Sequence, residues 1–195
     1  MESFFRYVAR RSIPVAVLFM YAIAVWGQSP AVSITFPAYQ YAEHVQSLGD
    51  VDFRNFSYPS LYDSGEPYQL HNGSYKDEAA GHLEVTLNHA WRFGAYALVS
   101  LDVFSAGGSS SNYGLMYLFG LKAGRPVIQQ QFVYDLQANG SGAGFNGKTR
   151  SLTIKARSSD DSPHCCARHL DIATYVFQGD NFELLKSRTV PVASK

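Results

Sequence analysis

The last quarter of the chain constrains the fold most, because two of its segments alternate apolar and polar residues with a period of two. Residues 151–157 and 169–177 both show this alternation, which is typical of strands that bury one face. Residues 178–181 have the composition of a turn, and residues 182–190 are apolar enough to return as a third strand. The sequence therefore predicts a three-stranded antiparallel meander at this end of the chain.

Two segments in the middle of the chain alternate in the same way. Residues 82–89 form the first and residues 95–104 form the second. Four apolar residues of the second segment share one face: Ala97, Val99, Leu101 and Val103. Both segments are therefore predicted to be strands.

A second meander follows from the order of these elements. Residues 105–112 are rich in glycine and serine and are predicted to form a loop before a strand over 113–121. A glycine turn over 122–125 then leads into a strand over 126–134. This order repeats in the last quarter, with Leu98 near the start of the first copy and Leu152 near the start of the second, so the chain contains a weak internal repeat.

The composition agrees with a β fold. Charged residues make up 16% of the chain, against about 25% in an average soluble domain, whereas the chain has 13 Tyr, 13 Phe and 16 Gly. Few charges and many aromatic residues favour strands over helices. We therefore predict a mainly β fold, a curved antiparallel sheet that forms a small barrel or a sandwich from two three-stranded meanders, with at most one short helix.

Residues 28–80 form an irregular part of the predicted single domain, 28–195. The sequence allows a short helix around residues 42–48 and predicts a short strand over 51–56 that ends before Pro59. Aromatic residues are dense in this part: Phe36, Tyr39, Tyr41, Phe53, Phe56, Tyr58, Tyr62, Tyr68 and Tyr75. They are expected to wrap onto a sheet and close its core, and the alternative is a stacking platform for sugars.

The N-terminus has the pattern of an export signal. Arg6, Arg10 and Arg11 precede an uncharged run over 13–26, which is shorter than the roughly 20 residues that a membrane span needs. Small residues provide cleavage frames after residue 24 or 27. We therefore predict a signal peptide over 1–27, a secreted or periplasmic location and no membrane span after its removal, with an uncleaved anchor as the alternative.

The charge of the predicted mature chain argues against nucleic-acid binding. Removal of residues 1–27 takes away three Arg and one Glu, which leaves 16 − 3 = 13 basic and 16 − 1 = 15 acidic side chains, a net charge of −2. No run of basic residues occurs in the remaining sequence. Nucleic acid is therefore not an expected partner.

One motif matches a nucleotide-binding pattern. Residues 142–149 fit the phosphate loop G-x-x-x-x-G-K-[ST], and Gly142, Gly144 and Gly147 fit the dinucleotide fingerprint. Both mechanisms need a helix directly after the glycines, whereas residues 150–157 alternate as a strand. We therefore interpret Asn146 and Gly147 as the tip of a β-hairpin and expect no nucleotide binding.

The sequence predicts neither catalytic residues nor a cofactor. The segment around Ser141 is not the G-x-S-x-G motif, because Asn139 and Ala143 occupy its outer positions. The histidines His44, His71, His82 and His89 have no spacing that links one of them to a nucleophile.

Both cysteines of the chain lie in one short cluster. His164, Cys165, Cys166 and His169 place four soft ligands within six residues, so a metal site is one interpretation. An oxidising compartment favours a disulfide between Cys165 and Cys166, although neighbouring Cα atoms are only about 3.8 Å apart and the ring would be strained. Two separate thiols on opposite faces of a strand are the third interpretation.

The acidic stretch over 160–166 that ends in Cys165 and Cys166, followed by a strand ending in Tyr175 and Phe177 and a closing hairpin, resembles a known pattern. It is similar to the C-terminal part of secreted bacterial proteins that include the LppP/LprE lipoprotein family. Residues 51–59 resemble the start of the same domain. The resemblance implies an extracytoplasmic β domain.

Together, these features predict an exported, non-catalytic module of the cell envelope or extracytoplasmic space that binds an envelope protein or glycan. An enzyme that acts on an envelope polymer is one alternative. A carbohydrate-binding module that uses the Tyr-rich segment is the other.

Overall fold

The computed structural model of the chain describes residues 32–34, 44–60, 66–77, 82–105, 111–158, 161 and 167–192. The predicted signal peptide and its cleavage frames lie outside these residues. The strands are β1 Val32–Ile34, β2 Ser57–Tyr58, β3 Tyr68–Gln69, β4 Ser74–Asp77, β5 Leu83–Phe93, β6 Tyr96–Ser105, β7 Ser111–Lys122, β8 Arg125–Asp135, β9 Gly142–Asn146, β10 Ser151–Arg157, β11 His169–Gln178 and β12 Asn181–Pro191.

The strands form antiparallel sheets, as the sequence predicts. A six-stranded sheet has the order β1-β8-β7-β6-β5-β4, a four-stranded sheet has the order β12-β11-β10-β9, and β2 pairs with β3. Each of the two predicted meanders belongs to a different sheet, and the two sheets pack face to face. None of these sheets closes into a barrel within the described residues, so the sandwich is the form that the chain adopts.

Short turns connect the hairpins at the predicted positions. Between β7 and β8, Ala123 and Gly124 have φ angles of 51° and 72°. Two residues with positive φ form the turn whose twist matches that of antiparallel strands. Between β11 and β12, Gly179 has a φ angle of 62°.

The central strand β6 is buried on both of its faces. Ala97, Val99, Leu101 and Val103 share one face, as predicted, and belong to a core formed with the N-terminal part of the chain. Leu98 points to the opposite face and belongs to a second core, which lies between the two sheets. The fold therefore has three layers, with the six-stranded sheet in the middle.

The aromatic residues of the N-terminal part close the first core. Phe53, Phe56 and Tyr58 lie against Phe119 of β7, with ring centroids 5.3 to 6.3 Å apart. The hydroxyl of Tyr58, which is fully buried, donates a hydrogen bond of 2.8 Å to the carbonyl oxygen of Phe53. The prediction that these rings cover a sheet is confirmed for the described residues.

The second core joins the two sheets. The six-stranded sheet contributes Leu98, Met116, Leu118, Phe132 and Tyr134. The four-stranded sheet contributes Leu152, Ile154, Ala156, Ala173, Tyr175 and Phe182. Because this core uses one face of β10, β11 and β12, the opposite face of these strands is directed away from the sandwich.

One local prediction in the N-terminal part is wrong. Residues 51–56 form a turn and not a strand, because Asp52 accepts hydrogen bonds from the backbone N–H of Arg54 and the side-chain amide of Asn55. Such a local side-chain partner competes with strand pairing. The described part of the segment that the sequence allows as a helix, 44–48, leads into a turn in which Asp50 accepts a hydrogen bond from the N–H of Ser47.

No helix of the length and hydropathy needed to cross a membrane occurs in the part of the chain that the structure describes.

Candidate functional site

A cationic face lies on the four-stranded sheet, on the side away from the core. Alternation along β10 places Lys155 on this side while its neighbours Ile154 and Ala156 are fully buried. Lys186 and Arg188, two residues apart on β12, also point away from the core. We call the side of β9–β12 that carries these three cations the outer face.

The strand register fixes how the outer face is arranged. Lys155 lies opposite Ile172 of β11, which lies opposite Arg188 of β12. In the next row, Thr174 separates Thr153 from Lys186. Neighbouring strands are about 4.8 Å apart, so the Cα atoms of Lys155 and Arg188 are separated by about 10 Å.

An open groove crosses the outer face. One part, of about 600 Å³, is lined by β9 and β10, and the other, of about 380 Å³, is lined by β10, β11 and β12. Thr153 and Lys155 line both parts, so the two are continuous. The groove therefore runs across the strands and not along them.

Glycines form the floor of the groove at its β9 end. Gly142 pairs with Lys155, and Gly144 pairs with Thr153. A Cβ atom added at either glycine would meet no other atom within 4 Å, so the space above them is open. At the same end, the buried hydroxyl oxygen of Ser141 has no hydrogen-bond partner among the residues that the structure describes.

The three cations of the outer face have no acidic partner among the described residues. Two arginines elsewhere in the chain are engaged, since Arg157 forms an ion pair of 3.1 Å with Asp135 and Arg92 donates to two backbone carbonyl oxygens. Unpaired like charges on one face repel each other and create a positive potential over the groove.

The groove lining has the chemistry of a binding surface. It presents ammonium and guanidinium groups, the hydroxyls of Ser151, Thr153 and Thr174, and the backbone of β9. Its described lining residues include no carboxylate, imidazole or thiol. These groups donate hydrogen bonds and attract negative charge, which suits recognition of an anion.

Comparison with known proteins identifies no relative. No family model, no curated protein and no solved structure matches the chain. The resemblance to the LppP/LprE family therefore stays a prediction.

Three residues of the predicted cysteine cluster, His164, Cys165 and Cys166, lie outside the described residues. His169 begins β11, and its Nδ1 atom lies 3.0 Å from Oδ1 of Asp161, whose other carboxylate oxygen accepts the backbone N–H groups of Arg168 and His169. The hydrogen bond from His169 holds the pKa of Asp161 below its ordinary value. No group of three or more metal-ligating side chains occurs in the described part of the chain.

The nucleotide-like motif forms a hairpin, as predicted. Its glycines belong to β9 and to the turn before β10, and no helix follows. The side chain of Asn146 accepts hydrogen bonds from the backbone N–H groups of Lys148 and Thr149. These are amides that a phosphate loop would direct at the ligand, and here they bind the protein itself.

The Tyr-rich segment does not form a platform for sugars where the structure describes it. Tyr58 and Tyr68 are 0% and 2% exposed, and Phe53 and Phe56 are also buried. Four further aromatic residues of this segment lie outside the described residues: Phe36, Tyr39, Tyr41 and Tyr62. These four buried rings stabilise the core, and Tyr75, the remaining described ring of the segment, is partly buried against it.

A serine, a histidine and an aspartate lie close together on β5 and β6. His89 pairs with Ser100, and Asp102 follows on the same face of β6. Ser100 is 2% exposed, however, and the ring of His89 stacks on Trp91 at 4.7 Å. No hydrogen bond within the described residues joins His89 to Ser100, so this serine has no base to activate it.

Burial also raises the pKa values of two groups on the face of the six-stranded sheet that meets the four-stranded sheet. Burial raises the pKa of Asp102, against the opposing effects of a hydrogen bond from Asn88 and the nearby His89. Burial raises the pKa of Tyr134 to about 12, although the Ser100 hydroxyl acts in the opposite direction. Both pKa shifts therefore result from packing between the two sheets and not from a substrate cleft.

Sequence reasoning missed the cations of the outer face because they are far apart in the chain. Lys155 lies 31 residues before Lys186, so no basic run is visible. The alternation of β10 was a signal for Lys155, because it places Lys155 opposite the apolar face. On β12 the alternation would put Lys186 and Arg188 on the side of the buried Phe182, and a β-bulge opposite Thr174 and Tyr175 turns them to the outer face.

Proposed function

We propose that the chain is an exported, non-catalytic binding module that holds an anionic ligand on its outer face. The observation that carries this proposal is the convergence of Lys155, Lys186 and Arg188, without acidic partners among the described residues, around one groove. The export signal predicted over residues 1–27 supports a ligand of the cell envelope.

The arrangement of charged side chains makes the outer face selective for anions. The nearest register position with a carboxylate on the outer face is Glu183, which lies opposite Val176, one row beyond Lys186. Asp171 is turned toward the other side, where it accepts a hydrogen bond from the hydroxyl of Thr189. A ligand with several negative charges therefore meets three cations before it meets a carboxylate, and its affinity falls as salt is added.

Calorimetric titration with dextran sulfate tests this function, with uncharged dextran as the neutral comparison. The double variant Lys186→Glu/Arg188→Glu is expected to weaken dextran sulfate binding by about tenfold or more. Lys76→Glu/Lys122→Glu is the matched control, because it changes the charge by the same amount at two exposed lysines of the six-stranded sheet.

Two results would contradict the proposed function. One is wild-type protein that does not bind dextran sulfate at low salt. The other is an equal loss of affinity in Lys186→Glu/Arg188→Glu and in Lys76→Glu/Lys122→Glu, since it would mean that total charge and not the outer face determines binding.

A further inference from the structure

We infer that the ligand of the outer face is an extended acidic polysaccharide that crosses all four strands. This inference rests on the proposed function and names the class of ligand. A juxtaposition carries it: the half of the groove over β10–β12, which Lys186 and Arg188 line, continues past Lys155 into a half with a glycine floor over β9. We call these the charged half and the glycine half.

The length of the groove points to a chain and not to a small anion. Four strands span about 15 Å from β9 to β12. The cations occupy only β10 and β12, yet the larger part of the groove lies at the β9 end. A small anion would fill the charged half alone, whereas a polymer uses both halves.

The glycine half suits a ligand that is rich in hydroxyl groups. Thr153 and Ser151, whose hydroxyl is hydrogen-bonded to Thr149 at 2.7 Å, line its β10 side. Because Gly142 and Gly144 have no side chains, a bulky ring can approach the backbone of β9 closely. A sugar ring offers both the hydroxyls and the bulk.

Other anionic polymers fit the groove less well. Nucleic acids without paired strands bind by stacking on aromatic rings, but Phe145, the aromatic residue of the described lining, packs into the core against Phe93 and Phe182. An extended peptide would pair along an edge strand, whereas this groove runs across the strands. A flat membrane surface does not enter a groove.

Gly144 allows the inference to be tested without damage to the fold. Its backbone does not have a positive φ angle, and an added Cβ would meet no atom within 4 Å. Valine is favourable in strands, so Gly144→Val is expected to fold normally while its side chain fills the floor of the groove. Gly147→Val is the matched control, since Gly147 lies in the neighbouring turn and outside the lining.

The experiment measures the affinities of digalacturonate and of a long oligogalacturonate for the full chain by calorimetry. The long oligomer is expected to bind wild-type protein and Gly147→Val about tenfold or more tightly than digalacturonate does. Gly144→Val is expected to lose this advantage of length and to retain digalacturonate binding. Lys186→Glu/Arg188→Glu is expected to lose both.

Several outcomes would overturn the inference. They are equal affinities for the two oligomers, a Gly144→Val variant that behaves as wild type, and single-stranded DNA, polyglutamate or anionic phospholipid vesicles that bind as tightly as the long oligomer. If any of these occurs while dextran sulfate binding still depends on Lys186 and Arg188, the anion-binding function stands, and the inference that an extended sugar chain occupies the β9 half is wrong. If that dependence is also absent, the proposed function fails as well.

Discussion

The side chain of Gln130 forms two hydrogen bonds with the backbone of Phe182. Its Nε2 donates to the carbonyl oxygen of Phe182 at 3.0 Å, and the N–H of Phe182 donates to its Oε1 at 2.7 Å. Gln130 lies in β8 and Phe182 in β12, so an amide side chain joins the two sheets as a backbone partner would. This pair fixes the strand that carries Lys186 and Arg188 to the rest of the sandwich.

Gln130→Leu is expected to destabilise the protein by about 2–4 kcal/mol. The substitution leaves the N–H and C=O of Phe182 buried without these partners, and each buried unsatisfied group costs about 1–3 kcal/mol. Urea denaturation measures the free energy of unfolding. Gln178→Leu, at an exposed position of β11, serves as the control, and equal stabilities of the two variants would refute this role of Gln130.

Gly114→Ala is expected to destabilise the protein by about 1–3 kcal/mol, because core overpacking has costs of this order. The ring of Tyr134 lies against Gly114, and an added Cβ would come within 2.0 Å of its Cζ atom. Gly144→Ala should change stability by less than about 0.5 kcal/mol, since the added atom meets open space.

A double variant identifies the cause of the Gly114 effect. Gly114→Ala/Tyr134→Leu should be less destabilised than the sum of its single variants, because the smaller side chain removes the clash. Simple additivity in thermal or urea denaturation would show that the Tyr134 ring is not responsible.

Asp102→Asn is expected to make stability less dependent on pH. Burial raises the pKa of Asp102 above its ordinary value of 3.8, so the folded state favours the protonated carboxyl. The stability that this group contributes is present at pH values below 3.8 and is lost as the pH rises through the raised pKa. An asparagine does not ionise and retains an oxygen that can accept the hydrogen bond from Asn88.

Thermal denaturation at several pH values measures this effect. The midpoint of Asp102→Asn should exceed that of the wild type by more at pH 7 than at acid pH. Asp180→Asn, in the exposed turn before β12, is the control. A difference between Asp102→Asn and wild type that is constant with pH would contradict the burial of this charge.

The alternation of the chain was sufficient to predict both meanders and their turns. Strands β6, β7, β8, β10, β11 and β12 all lie where the period of two places them, and Gly124 and Gly179 lie in the turns between them. Alternation reports which residues share a face, but not whether a second layer covers the other face. The burial of Leu98 and Ser100 between the sheets therefore could not be read from β6 alone.

The other differences between the structure and the sequence-based predictions have either local or long-range causes. The turn at residues 51–56 depends on where the side chain of Asp52 points, which composition does not determine. The outer face depends on the pairing of β10 with β11 and of β11 with β12. Because Lys155 and Arg188 become neighbours only through this register, the site follows from topology.

The motif over residues 142–149 is expected to bind no nucleotide. The N–H groups of Lys148 and Thr149 are bound by Asn146 and a strand follows the turn, so the amides are not available to phosphate. Any heat of binding in a titration with Mg-ATP should therefore be unchanged by Lys148→Ala. A micromolar dissociation constant that Lys148→Ala abolishes would show that the hairpin rearranges around phosphate.

The most direct test of the account is a map of backbone amide chemical shifts as oligogalacturonate is added to the labelled protein. The account predicts that the largest changes occur on the outer face, at Gly144, Thr153, Lys155, Lys186 and Arg188, and that they weaken as salt is added. Changes confined to the six-stranded sheet or to the N-terminal layer would contradict it.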